Sequence, residues 1–211
     1  MKGILGLLRS KTIGNKPKDD NTDSVLFSTA FAGQGVDDSM LVPWEARAVE
    51  VGAKRLPTSR GGKLLQGLWS KDKYMAHLDK DAVERMERFF EFAAIPSNRD
   101  VIRQDEYGNF MVVLLTGTIA VDRVQPWGEQ LRLAETRPGD ILGEMSLLDS
   151  GIRFSACTTL TDCEIAVLSA EAMDDMMSKD PQLAASLIAL LARKLSLRLR
   201  VVSARLSDNQ K

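Results

Sequence analysis

The sequence predicts a mainly β domain with flanking helices, a sandwich or barrel that ends in one long helix. Three observations predict it. Between residues 96 and 169, short stretches alternate apolar and polar residues and are separated by Gly and Pro turns, the pattern of many short paired strands. Ahead of them, over residues 81–92, apolar residues recur at helical spacing. Beyond Pro181 no Gly or further Pro interrupts the chain to about Leu206, where leucines recur every three or four positions.

Residues 1–77 read as an N-terminal extension, partly disordered, and residues 78–211 as the structured domain. Residues 11–24 are polar and charged and residues 31–39 are rich in small residues, so residues 1–40 are expected to be mobile. At the start, Ile4, Leu5, Leu7 and Leu8 can line one face of a short helix flanked by Lys2, Arg9 and Lys11. That segment fits a partner-docking peptide, a weak membrane contact or a frayed terminus. Over residues 41–77, Gly61-Gly62 breaks any continuous periodicity and leaves Trp44 and Trp69 available for docking.

In the helix expected over residues 81–92, Asp81 caps the start and Glu84 follows three residues later, as in a capping box. Val83, Met86, Phe89 or Phe90, and Ala93 form its apolar face. Ile119 and Val121 alternate with small or polar residues over residues 118–124. A Pro126-Trp127-Gly128-Glu129 turn leads to residues 130–134, where Leu131 and Leu133 alternate with Gln130 and Arg132. Trp127 is a contact residue or a chance exposed aromatic. Cys163, Ile165 and Val167 mark a later strand.

Asp180-Pro181 suits a cap followed by proline at the first helical position. Two stripes run along the long helix. Leu183, Leu187, Leu190, Leu197 and Val201 form one, and Ile188, Leu191, Leu195, Leu199, Val202 and Leu206 the other. One stripe can pack on the domain and the second can pair with another copy as a coiled coil; a single wide buried face is the alternative. Arg193, Lys194, Arg198, Arg200 and Arg205 lie on the same helix, where a solvated face would complement the helix dipole.

A net charge of −1 gives no whole-chain reason to expect nucleic acid or acidic lipid as a partner. Cys157 and Cys163 fall in expected strands and read as buried reduced thiols rather than a disulfide or metal site. No apolar run reaches the ~20 residues needed to span a bilayer, and cytoplasm is the expected location. No enzyme signature is present. His77 is the only histidine, and Ser59-Arg60-Gly61-Gly62-Lys63 lacks the spacing of a phosphate-binding loop.

The segment richest in chemistry is Gly139-Asp140-Ile141-Leu142-Gly143-Glu144-Met145-Ser146-Leu147-Leu148, followed by Arg153. Glycine lets backbone approach a ligand closely, and a short helix starting there points N–H groups at a phosphate. Glu144 can accept a ribose hydroxyl, and Arg153 offers a planar, permanently charged fork to a phosphate. Taken alone, the same residues also fit a tight turn at Pro138-Gly139-Asp140 with Glu144 and Arg153 merely solvated.

From about Leu78 to Leu206 the sequence resembles the cyclic nucleotide-binding domain family of catabolite-activator-type regulators, kinase regulatory subunits and gated channels. Four segments carry the likeness. Pro96-Ser97-Asn98-Arg99-Asp100-Val101-Ile102 is similar to the family's opening strand and turn. The stretch from Gly108-Asn109 to Gly117 is similar to its glycine-aspartate hairpin, with Asn109 for the aspartate. Arg137-Pro138-Gly139-Asp140-Ile141-Leu142-Gly143-Glu144 is similar to the approach to its phosphate cassette, and Thr161-Asp162-Cys163-Glu164-Ile165-Ala166-Val167-Leu168-Ser169 to its closing strand.

The resemblance implies a jelly-roll-like β-roll, a non-enzymatic regulatory role and a long helix that often pairs in a homodimer. It implies ligand contacts from Gly143, Glu144, Met145, Arg153, Phe154 and Ser155. It also departs from the family. Ile152 and Phe154 flank the arginine where the family often has proline and a small residue, and Ala156 stands where threonine or serine often accompanies cGMP. Phe154 is expected either to point into the core or to fill part of the ligand pocket. An ungapped alignment puts Arg198 and Leu199 where catabolite-activator relatives read adenine, so Arg198 is expected over the base, where it can stack or donate to a purine keto group.

Only five residues follow Leu206, which leaves no room for a winged helix-turn-helix, and direct DNA binding is not expected. The expected function is therefore a module that senses a cyclic nucleotide, cAMP or cGMP, and signals through an unidentified protein partner. The alternatives are a degenerate fold acting as a dimeric scaffold, or one that binds a cyclic dinucleotide such as cyclic di-GMP.

Overall fold

The computed structural model of the protein describes residues 26–208, His77 excepted. Met1 to Lys11, the 11–24 stretch and His77 lie outside the described residues. In chain order the elements are α1 (Phe27–Gly33), α2 (Trp44–Glu50), β1 (Lys54–Arg55), α3 (Thr58–Trp69), α4 (Lys80–Glu87), β2 (Glu91–Ile95), β3 (Asp100–Ile102), β4 (Phe110–Thr116) and β5 (Ile119–Val124). They continue with β6 (Gln130–Glu135), β7 (Ile141–Leu142), α5 (Glu144–Asp149), β8 (Ala156–Thr159), β9 (Cys163–Ser169), α6 (Ala170–Lys179) and α7 (Pro181–Asp208).

Two antiparallel sheets form the roll, one ordered β1-β2-β9-β4-β7 and the other β3-β8-β5-β6. The period of two along β4 decides its place between layers. Met111, Val113 and Leu115 face a core shared with the helices, while Phe110, Val112 and Leu114 face the second sheet. β9 does the same, with Ala166 and Leu168 toward the helices and Ile165 and Val167 toward the other sheet. A continuous apolar run marks a strand covered on both faces.

Several expectations need correction. The stretch from Gly108 to Gly117 is not a hairpin arm: β4 pairs with β9 and β7, whereas β5 pairs with β6 and β8. Gly117, at φ 88°, turns the chain from one sheet into the other. The helix expected over residues 81–92 is shorter. Asp79, not Asp81, caps it by accepting from Ala82 N at 2.6 Å, and Phe92 belongs to β2. The aromatic residues that continued the helical spacing instead pack on the core from beyond its end.

Residues 41–77 pack against the roll. Trp44 lies edge-on to Phe110 and Trp69 edge-on to Phe90, both buried rather than free for docking. α3 runs straight through Gly61-Gly62, because a Cβ at Gly61 would overlap the Phe92 ring and one at Gly62 the Glu87 carboxylate. These glycines set a close helix–strand approach. Within residues 31–39 only Phe31 and Val36 are buried, and the helix leading into them is anchored. Phe31 is fully buried, and the Asp174 carboxylate caps α1 by accepting from Phe27 N at 2.7 Å, Ser28 N at 2.9 Å and Ser28 Oγ at 2.6 Å.

Along α7 the division is between its two ends rather than its two faces. Leu183, Leu187, Leu190 and Leu191 are buried, whereas Leu197, Leu199, Val201, Val202 and Leu206 are exposed, although members of both stripes occur in each half. Asp180 caps the start, its carboxylate accepting from Leu183 N at 3.2 Å. Cys157 in β8 and Cys163 in β9 are both buried and free.

Candidate functional site

β7 leads into Gly143, whose φ of 74° is left-handed, and α5 starts at Glu144. Across from it, the segment before β8 is held by backbone bonds from Arg153 N to Glu106 O at 2.8 Å and from Asp105 N to Arg153 O at 2.9 Å. These two supports bring Gly143, Glu144 and Arg153 together.

The Arg153 side chain turns inward. Its Nη1 donates to Gly143 O at 2.7 Å and its Nη2 to Phe110 O at 2.6 Å, with the guanidinium 4.7 Å from the Phe110 ring centroid. A Cβ at Gly108 would stand 2.7 Å from Nη2, and one at Gly143 2.6 Å from Nη1. Both glycines therefore make room for this arginine. Arg153 is only 3% exposed, and burial lowers its pKa to about 10, which leaves it charged at neutral pH. The Cys157 thiol nearby is pushed up to about 12 by burial and remains a thiol.

Glu144 is 4% exposed. Burial raises its pKa, while the charges of Arg198 and Arg153 oppose that rise. Its carboxylate is ion-paired with Arg198 Nη1, and Arg198 Nη2 donates to Ile141 O at 2.8 Å. The arginine expected over a base is thus engaged with the cassette itself in this structure.

The other expected residues take different positions. Met145 is 44% exposed and Ser155 half-buried. Phe154 is 50% exposed and does not enter the core. The guanidinium of Arg123 stacks on its ring, 4.0 Å from the centroid, and donates to its carbonyl. Reasoning from the sequence missed Arg123, because a lone arginine near the end of a strand reads as a solvated residue. It also missed Arg47, buried between Glu50 and Glu106 beside the loop that holds Arg153.

Two sheets rolled around an apolar core, a left-handed glycine opening a short helix, and an arginine brought back to that glycine define a cyclic-nucleotide-type β-roll. Residues 94–180 match the cyclic nucleotide-binding domain family. The chain is 31% identical over 107 residues to the cyclic AMP receptor protein of Thermus thermophilus, covering 51% of this chain and 50% of the relative. It spans about half the length of the curated relatives it matches. Among solved structures, a cyclic nucleotide-binding domain from Methylobacillus flagellatus superposes with a TM-score of 0.67 at 22% identity, covering 72% of this chain and 86% of that one. The Thermus thermophilus catabolite activator protein superposes with a TM-score of 0.54 at 28% identity, covering 62% of each chain.

Proposed function

We propose that the chain is a non-enzymatic regulatory module that senses a cyclic mononucleotide and passes the signal to a protein partner. The observation that carries this reading is the convergence of Arg153 and Glu144 on Gly143 within the matched domain. Arg153 meets the phosphate together with backbone N–H groups from Gly143 to Met145, and Glu144 accepts the ribose hydroxyl. Phe154, Ser155 and Met145 lie at the rim, and the base faces α7. The curated relative's name supports cAMP as ligand, with cGMP the alternative. Leu199, Val202 and Leu206, exposed on α7, continue from the half-buried Leu195 at coiled-coil spacing, which supports a homodimer. No described helix is long and apolar enough to cross a membrane, and two buried free thiols suit the reducing cytoplasm.

A second reading has a specific observation in its favour. Arg153 is satisfied by two carbonyls and Glu144 by Arg198, as a scaffold that binds no mononucleotide, or binds only a cyclic dinucleotide, would have them. Calorimetric titration with cAMP, cGMP and cyclic di-GMP separates these readings. The sensor binds one mononucleotide and loses it in Arg153→Ala and in Glu144→Ala, with circular dichroism confirming that both variants fold. Binding that survives both changes overturns the assignment, and binding of cyclic di-GMP alone moves the ligand class.

A further inference from the structure

Lys194 and Arg198 stand one turn apart on α7 and reach one short segment of the roll. Lys194 Nζ lies 3.5 Å from Gly139 O and 3.3 Å from Asp72 Oδ2. Arg198 joins Ile141 O and the Glu144 carboxylate. Among the described residues, Arg198 makes the most C-terminal polar contact between α7 and the rest of the domain. Every described residue from Ser196 to Ser207 is exposed. The fully buried apolar residues of α7 therefore end at Leu191, and beyond it only the half-buried Leu195 and this grip hold the helix.

The Glu144 side chain is 5% exposed while that of Arg198 is 47% exposed, so the arginine lies over a covered carboxylate. A ribose hydroxyl that takes Glu144 Oε1 displaces the cover. The charged and titratable groups facing Glu144 are Arg198 from α7, Arg153 from the segment before β8 and Cys157 from β8. Arg153 directs its two Nη atoms to the Gly143 and Phe110 carbonyls rather than to Glu144, so Arg198 is the ion-pair partner that covers the carboxylate.

We propose that Arg198 is an internal latch: it holds the Glu144 carboxylate in the place of a ribose hydroxyl, so that ligand and helix compete for one group and ligand binding frees α7 beyond Leu191. This rests on the reading of Glu144 as the ribose acceptor. The competition is reciprocal, because a ligand that favours the released helix is favoured by its release. The free helix end then exposes a different surface to a second copy or a partner.

The test uses the full chain. In ligand-free hydrogen exchange, Arg198→Met keeps the apolar stem and removes the fork. Protection over residues 192–207 falls by about tenfold, the loss expected for one charge-assisted contact, while the sheets are unchanged. Glu144→Gln, made from the other end, produces the same pattern. In calorimetry with cAMP and cGMP, Arg198→Met binds the preferred nucleotide about tenfold tighter than the wild type. Unchanged exchange in both variants overturns the latch. Weaker binding by Arg198→Met overturns it too, since Arg198 would then be orienting Glu144 for the ligand. If exchange rises but neither protein binds a nucleotide, the hold on α7 is confirmed and the nucleotide reading fails.

Discussion

Replacing Gly143 by alanine tests whether Arg153 and this glycine shape one another. At φ 74° an L-residue is strained, and the added Cβ stands 2.6 Å from Arg153 Nη1 and 2.8 Å from Ile102 Cδ1. Ile102 is buried and Arg153 is nearly so, so neither can yield cheaply. Backbone strain and the weakened bond from Arg153 to Gly143 O together cost about 3 kcal/mol. For a domain of this size that lowers Tm by about 6–12 °C. Gly139→Ala is the control. Its φ of 95° carries similar backbone strain, but its Cβ meets only Leu68 Cδ2, at 3.9 Å. It should cost about 1 kcal/mol, or about 2–4 °C. Thermal melts of both variants by circular dichroism decide the matter. Equal shifts would refute the claim that Arg153 occupies the space above Gly143.

Three further outcomes are expected. The folded Glu144 pKa is raised, so this residue contributes stability that is present below its unfolded value and lost as pH rises through its folded value; urea unfolding of wild type against Glu144→Gln between about pH 4 and pH 7 should show the wild type losing ground as pH rises, and a flat or opposite difference contradicts the burial argument. Asp174→Ala removes the acceptor of three hydrogen bonds at the start of α1 and should cost about 1–2 kcal/mol, with hydrogen exchange rising over residues 27–40 first. Leu199→Asp with Val202→Asp, both at exposed positions, should convert a dimer to a monomer in sedimentation while shifting Tm of the monomer by less than about 2 °C; a variant that stays dimeric places the interface elsewhere.

The roll was legible because β4 and β9 write their two-sided burial into alternating and continuous apolar residues, and Gly or Pro punctuates the turns. The start of α7 was legible for a similar local reason, since Asp180-Pro181 is a capping signal. The errors arose where a local signal had a long-range cause. Gly61-Gly62 resembles a helix breaker, but its cause is Phe92 and Glu87 lying against α3. Phe89 to Phe92 continues a helical period, yet β2 pairing with β9 claims Phe92. At the candidate site, residue type and spacing marked Gly143, Glu144 and Arg153 but fitted a plain turn as well, and the resemblance singled them out. The pairing of Arg198 with Glu144 spans 54 positions and has no local trace, and neither has the stacking of Arg123 on Phe154. In α7 both stripes are apolar throughout, so the sequence shows no mark of where the helix leaves the core.

The central claim, that the Gly143–Glu144 turn and the Arg153 segment receive a cyclic mononucleotide, is tested most directly by following backbone amide resonances of the full chain during titration with cAMP and with cGMP. Saturable shifts centred on residues 141–146 and 152–156, accompanied by residues around Arg198, are the predicted result. Shifts confined to other parts of the fold, or none with either nucleotide, would contradict it.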